Sequence, residues 1–175
     1  MLKLQKVNLN ELEDIGLKKF KSLIFNDERG SLSIRYEGLT PNDKTPFSIK
    51  ESVSDPYVGR GLHTQLKCPQ TKVISLISGS ILDFVYDPLS NDQTVYFFNL
   101  NSDDRLNIEI PGKFAHGFIT IKRTVFSYIT FGKYDEHNET TFNLLESAAK
   151  ELYLPNISLS SKDRRYAPID LKLSD

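Results

Sequence analysis

The middle of the chain alternates apolar and polar positions with a period of two, which sends successive side chains to opposite faces of a strand. TKVISLIS (71–78) and SILDFVYD (80–87) flank Gly79 like the two arms of a hairpin. TVYFFNLN (94–101), LNIEIP (106–111), AHGFITI (115–121) and TVFSYITF (124–131) follow at a spacing of roughly 8–12 residues. That rhythm, rich in Val, Ile, Phe and Tyr, predicts a β-sandwich or barrel. Earlier strands are expected in KFKSLIF (19–25), SLSIRYE (31–37) and PFSIKES (46–52), and VGRGLHTQ (58–65) reads as another. One helix is predicted over TFNLLESAAKELY (141–153). Leu144, Leu145, Ala148 and Leu152 share one of its faces, and Thr140 or Thr141 is suited to cap its start. SLSSKDRRYAPIDL (158–171) reads as an irregular tail that packs back on the β body. The expectation is an all-β protein with a short C-terminal helical segment.

At 175 residues and 20.0 kDa the chain has the size of one domain with a core of its own. No internal repeat or low-complexity segment divides it. The 22 Lys and Arg nearly balance the 23 Asp and Glu, for a net charge of −1. That balance gives no electrostatic case for nucleic acid or an anionic membrane as partner. The one cysteine, Cys68, excludes an intrachain disulfide and fits a reducing cytosol. The opening MLKLQKVNLNELEDIG carries acids where a signal peptide would be apolar. No apolar run approaches the roughly 18 residues of a membrane span. A cytoplasmic globular protein is expected.

Candidate chemistry centres on VGRGLHTQ. On a strand, His63 and Gln65 point the same way. Gln70 and Lys72 open the next strand, Lys72 among apolar neighbours, and His116 lies in IPGKFAHGF. A lone strand histidine is ordinarily structural, so what matters is whether these groups converge in a barrel mouth fit for one small ligand. A metal is not expected. Two imidazoles and the amides of Gln65 and Gln70 make a poor divalent site. Metal-free proton chemistry suits the set better. A neutral histidine is the usual base near pH 7, and an ammonium can stabilise an enolate-like oxyanion. Tyr128 is placed to return a proton, against the alternative of simple core packing. Arg29 in NDERGSL and Arg60 each adjoin a glycine; both suit forked hydrogen bonds to a diphosphate, or else plain surface charge.

FNDERGSL, GRGLHTQ, PQTKV, ISGSILDFVYD, IPGKFAHGF, YITFGKY and LSSKD occur in this order. Together they resemble the dTDP-4-dehydrorhamnose 3,5-epimerase family over about residues 20–168. GRGLHTQ and IPGKFAHGF in combination carry most of the specificity. The resemblance implies a single cupin domain over 1–175, a double-stranded β-helix (jelly-roll) sandwich. Its N-terminal strands would span about 1–50, its barrel core about 51–134 and its helical and irregular tail about 140–175. It implies a metal-free epimerase acting on a nucleotide-linked 4-keto-6-deoxy sugar, as in the dTDP-rhamnose pathway of polysaccharide biosynthesis. In that case His63 removes protons alpha to the C4 ketone, Asp163 orients it, and Lys72 stabilises the enolate with His116 close by. Tyr128 reprotonates from the opposite face, Arg29 and Arg60 hold the diphosphate, and Tyr134 lines the nucleotide side. Gln65 lies in the same pocket. No cofactor is implied. A homodimer is, with N-terminal strands such as KKFKSLIF crossing to the partner.

The departures from the family pattern lie mostly at the nucleotide end. Ile34 occupies the family's acidic position after the first Arg-Gly, and Ser48 and Lys50 replace its Gln-x-Asn. Leu89 stands for an arginine, and Leu154-Pro155 for Trp-Pro. These changes permit another nucleotide, another sugar, or inversion at one carbon only. Two rival readings are a sugar 3,4-ketoisomerase and a cupin that binds a nucleotide sugar without turnover. Ketoisomerases resemble RGxHAH, and Gln65 replaces their second histidine. A mere binding module would have no need of His63, Asp163 and Tyr128 together.

Overall fold

The computed structural model describes residues 1–36 and 45–174. The last residue expected in SLSIRYE, Glu37, lies outside them. The strands are β1 (Leu2–Lys6), β2 (Lys18–Lys21), β3 (Leu23–Asp27), β4 (Gly30–Ile34), β5 (Phe47–Ser54), β6 (Gly59–Gln65) and β7 (Thr71–Ser78). They continue with β8 (Ser80–Tyr86), β9 (Thr94–Asn101), β10 (Leu106–Ile110), β11 (Ala115–Thr120), β12 (Thr124–Phe131), β13 (Glu139–Thr141) and β14 (Leu171–Leu173). One α-helix, α1, spans Leu145–Glu151. A seven-stranded sheet runs in the order β13-β6-β11-β8-β9-β1-β14 and a five-stranded sheet in the order β2-β10-β7-β12-β5. β3 and β4 form a separate hairpin. No helix among the described residues is long and apolar enough to cross a membrane.

The two sheets face each other through an apolar layer. Ile74, Leu76, Ile108 and Phe126 come from the smaller sheet, and Ile81, Val85, Phe98 and Phe118 from the larger. The larger sheet is buried on its other face too. There Leu62, Phe84, Phe97 and Ile119 pack against Leu144, Leu145 and Ala148 of the helical segment. Burial on both faces explains why TVYFFNL and SILDFVY read as nearly continuous apolar runs rather than clean alternations. Asp83 is the one charged residue within them, and it is fully buried.

The predicted strands from β7 to β12 match the structure to within a residue at their ends. KFKSLIF is not one strand but two. Its chain leaves β10 at Ser22, whose hydroxyl accepts from Asn107, and β3 turns away to pair with β4. The helix is shorter than the pattern predicts, because 139–141 pair with β6 instead of capping it. Thr140 and Thr141 lie opposite Thr64 and His63, and Phe142 exchanges both backbone hydrogen bonds with Leu62. Those donors are therefore spent in a sheet, and the helix begins after Leu144. β1 and β14, running parallel to each other at one edge, lack any clear pattern of their own.

Candidate active site

A cavity of about 550 Å3 opens between the sheets. Its wall on the five-stranded sheet is set by register. Lys72, Thr130 and Ser48 share one rung, and Ile74, Tyr128 and Lys50 share the next but one, on the same face. The facing wall carries His63 and Gln65 from β6, His116 and Phe118 from β11, and Glu139 from β13. His63 pairs directly with His116 across the sheet. Two glycines allow that approach. A Cβ on Gly61, whose φ is +109°, would lie 2.6 Å from the His116 carbonyl oxygen, and one on Gly117 would lie 2.6 Å from that of Arg60. This is a physical reason for the glycines of RGLH and AHGF.

The tail completes the wall. Ser158 exchanges backbone hydrogen bonds with Tyr57 and Gly59, docking SSKD beside β6. Asp163, nearly buried, then lies 2.7 Å from Nε2 of His63. A carboxylate only accepts, so Nε2 carries the proton and Nδ1 is left as the basic nitrogen. Burial raises the Asp163 carboxyl, but hydrogen bonds from His63 and the Ser160 hydroxyl outweigh it and hold it below the ordinary range. Nδ1 lies 3.6 Å from Oε1 of Glu139, so a proton arriving there lands beside a second carboxylate.

Deeper in, Lys72 donates to the His63 carbonyl oxygen at 3.1 Å. Burial lowers its ammonium from 10.5 to about 8, against the attraction of Asp83 and Glu139. Nε2 of His116 lies 2.8 Å from Oδ2 of Asp83. Burial pushes the Asp83 carboxyl upward, opposed by His116 and Lys72. Its other oxygen has no hydrogen-bond partner among the described residues. Tyr128, from the opposite sheet, is raised chiefly by burial, with Arg60 opposing. It is therefore a neutral phenol with a proton to give at neutral pH.

Toward the open side, Glu139 accepts from the Tyr134 hydroxyl at 2.7 Å and from the Lys162 ammonium. Burial raises the Glu139 carboxyl, but those two donors more than reverse it. Arg60 is held through Nε by the Ser54 hydroxyl at 3.0 Å. Gln65 lines the cavity, yet its amide is committed to the backbone of Cys68, Lys133 and Asp135. Tyr134, exposed, does not line the cavity itself and reaches it only through its bond to Glu139. Arg29 is not brought in: it sits on the β3–β4 turn, exposed and paired with Asp27.

The structure thus gathers His63, Asp163, Lys72, His116, Tyr128, Arg60 and Gln65 around one cavity. Sequence reasoning missed Glu139 and Lys162, which line it, and Asp83, which holds His116 from behind. A lone acid in the apolar run SILDFVY was a usable signal for Asp83. Nothing in KYDEHNETT singles out Glu139 from its acidic neighbours. Among the described residues, no group of three or more His, Cys, Asp or Glu side chains is placed to hold a metal ion.

Residues 11–170 match the family described as dTDP-4-dehydrorhamnose 3,5-epimerase. A dTDP-4-dehydrorhamnose 3,5-epimerase of Mycobacterium tuberculosis is 29% identical over 144 residues, covering 75% of this chain and 70% of that one. The dTDP-4-dehydrorhamnose 3,5-epimerase of Sulfolobus tokodaii superposes with a TM-score of 0.73 at 26% identity, over 88% of this chain and 90% of that one. A Legionella pneumophila dTDP-6-deoxy-D-glucose-3,5-epimerase in complex with dTDP-4-keto-L-rhamnose gives 0.71 at 25% identity, over 87% of each chain. The two-sheet body is therefore the cupin-type β-sandwich expected from the sequence motifs.

Proposed function

Because the chain belongs to the dTDP-4-dehydrorhamnose 3,5-epimerase family, we propose that it epimerises a nucleotide-linked 4-keto-6-deoxy sugar of the dTDP-4-keto-6-deoxyglucose type, at C3, C5 or both. The observation that carries this reading is that His63 and Tyr128 reach one cavity from opposite sheets. Inversion next to a ketone needs a base on one face of the sugar and an acid on the other. The C4 carbonyl acidifies its neighbouring C–H bonds. Nδ1 of His63 takes the proton, and Asp163 fixes the ring's orientation and tautomer. The Lys72 ammonium, half-buried on the cavity wall, stabilises the charge that develops on the C4 oxygen. His116, anchored by Asp83, borders the same oxygen. Tyr128 returns a proton from the far face.

On this reading residues 1–175 act as one cupin domain, cytoplasmic, with no metal or other cofactor and with Arg60 on the diphosphate. The direct test is turnover in D2O, with EDTA present, of dTDP-4-keto-6-deoxyglucose followed by proton NMR. Deuterium entering C3 and C5 with inversion supports a double epimerase, and entry at one carbon supports a single one. Migration of the carbonyl to C3 would move the protein to the ketoisomerases, and binding without exchange would make it a carrier. Tyr128→Phe sharpens the assignment. Exchange at the deprotonated carbon is expected to continue while inverted product falls about a hundredfold. Equal loss of both would remove Tyr128 from the acid role.

The assembly expected from the sequence is a homodimer. Leu23, Phe25 and Leu32 are exposed on the β3–β4 hairpin, which stands apart from both sheets. Phe47, Ile49 and Val53 are exposed along β5, the edge strand of the smaller sheet among the described residues. Contiguous apolar surface of this kind marks a contact site, and a hairpin crossing to a second copy would carry Arg29 toward that copy's cavity. Light scattering is expected to give a dimer for the wild type and a monomer for Phe25→Asp/Leu32→Asp. A monomeric wild type with full turnover would overturn this arrangement.

A further inference from the structure

Lys50 has no part in the chemistry described above, yet its ammonium lies over two rings of the site. It is 5.7 Å from the ring centre of Tyr128 and 5.6 Å from that of Tyr134. The position is fixed by backbone register, since Lys50 on β5 lies directly opposite Tyr128 on β12. Four residues along the same strand, Ser54 holds Nε of Arg60, which leaves that guanidinium's two terminal nitrogens for a ligand. The other cations of the cavity are differently placed. Lys162 is neutralised by Glu139, and Lys72, half-buried, is bonded to the His63 carbonyl. Among the described residues, neither Lys50 nor Arg60 has a carboxylate within 4.0 Å, and both lie toward the open side.

We infer that Lys50 is a further substrate-binding residue that, with Arg60, grips the diphosphate joining sugar to nucleoside. The inference rests on the function proposed above, and the reasoning is one of charge and position. The reacting sugar lies at His63, Lys72 and Tyr128, and the nucleoside leads outward past Tyr134. The link between them passes the point where Lys50 spans the two rings. A diphosphate diester brings two negative charges to a place where two cations have no carboxylate partner among the described residues. An ammonium on a flexible stem is a point charge that can follow either phosphate, complementing the fixed fork of Arg60.

The test uses the full chain and its Lys50→Gln and Lys50→Arg variants, titrated with dTDP, inorganic pyrophosphate and thymidine. Lys50→Gln is expected to weaken dTDP and pyrophosphate about tenfold and leave thymidine unchanged. Lys50→Arg is expected to restore most of the loss. Salt dependence of dTDP binding should become shallower in Lys50→Gln, and with the keto sugar the effect should fall on KM more than on kcat. Unchanged affinity for dTDP and pyrophosphate would overturn the inference. So would a loss confined to kcat, which would mean that Lys50 acts on Tyr128 rather than on phosphate. A wild type that binds pyrophosphate through Lys50 but never exchanges sugar protons would sink the proposed reaction and leave this role standing. A wild type that binds none of the three probes would overturn both.

Discussion

Replacing His63 by asparagine is expected to lower turnover by about three orders of magnitude and to stop deuterium entry at every carbon of the sugar. The size follows from what a positioned base supplies, about two to four powers of ten. Asparagine keeps a side chain of similar reach near Asp163, so folding and dTDP binding are expected to persist. Asp163→Asn tests the same dyad from the other side. An amide can donate to Nε2 and so favour the tautomer in which Nδ1, the basic nitrogen, carries the proton instead. A loss of about two orders or more is expected with the affinity for dTDP unchanged. If both variants kept wild-type exchange, the base would have to be sought elsewhere, and His116 with Asp83 would be the next pair to change.

Lys72→Met is expected to trade activity for stability. Turnover should fall by at least about a hundredfold, since the ammonium beside His63 is the one assigned to the charge developing on the C4 oxygen. Stability should move the other way. Burial, only partly offset by Asp83 and Glu139, lowers the Lys72 ammonium from 10.5 to about 8, a net cost of about 3 kcal/mol to the folded state at neutral pH. Between pH 8 and 10.5 the folded protein sheds this proton while the unfolded chain keeps it. The unfolded state then binds more protons, and this group's contribution to stability rises with pH across that window. Methionine has no charge to bury, so Lys72→Met is expected to melt several degrees higher at pH 7 and to lack that rise. The lost hydrogen bond to His63 offsets part of the gain. A lower melting temperature at pH 7 would mean that those contacts outweigh desolvation. In the wild type, activity that needs the ammonium should fall about tenfold per pH unit above pH 8, visible as the alkaline limb of kcat/KM.

Several members of the site were legible because their residue types conflict with their surroundings. A lysine at the start of an apolar strand, a histidine after Arg-Gly and a histidine before Gly-Phe are hard to explain as core. Glu139 carries no such conflict. It is one acid among several, and only the pairing of 139–141 with β6 turns it toward His63. The helix shows the same limit. Its apolar face was readable, but Thr140 and Thr141 had a better use in the sheet than at a cap. Arg29 illustrates the converse, since a phosphate-like motif in the sequence lies on a hairpin far from this chain's own cavity.

The sequence by itself determined the all-β body, the run of strands from β7 to β12 and the chemical types that meet in the cavity. Those follow from a two-residue period and from polar groups set in apolar strands, both local properties. Which groups touch was decided only by the tertiary structure. Asp163 lies 100 positions beyond His63 and Glu139 lies 76 beyond it. Whether either reaches the imidazole depends on the docking of the tail and the register of β13. Registers and docking are fixed by cooperative burial of distant side chains, and no local pattern encodes that.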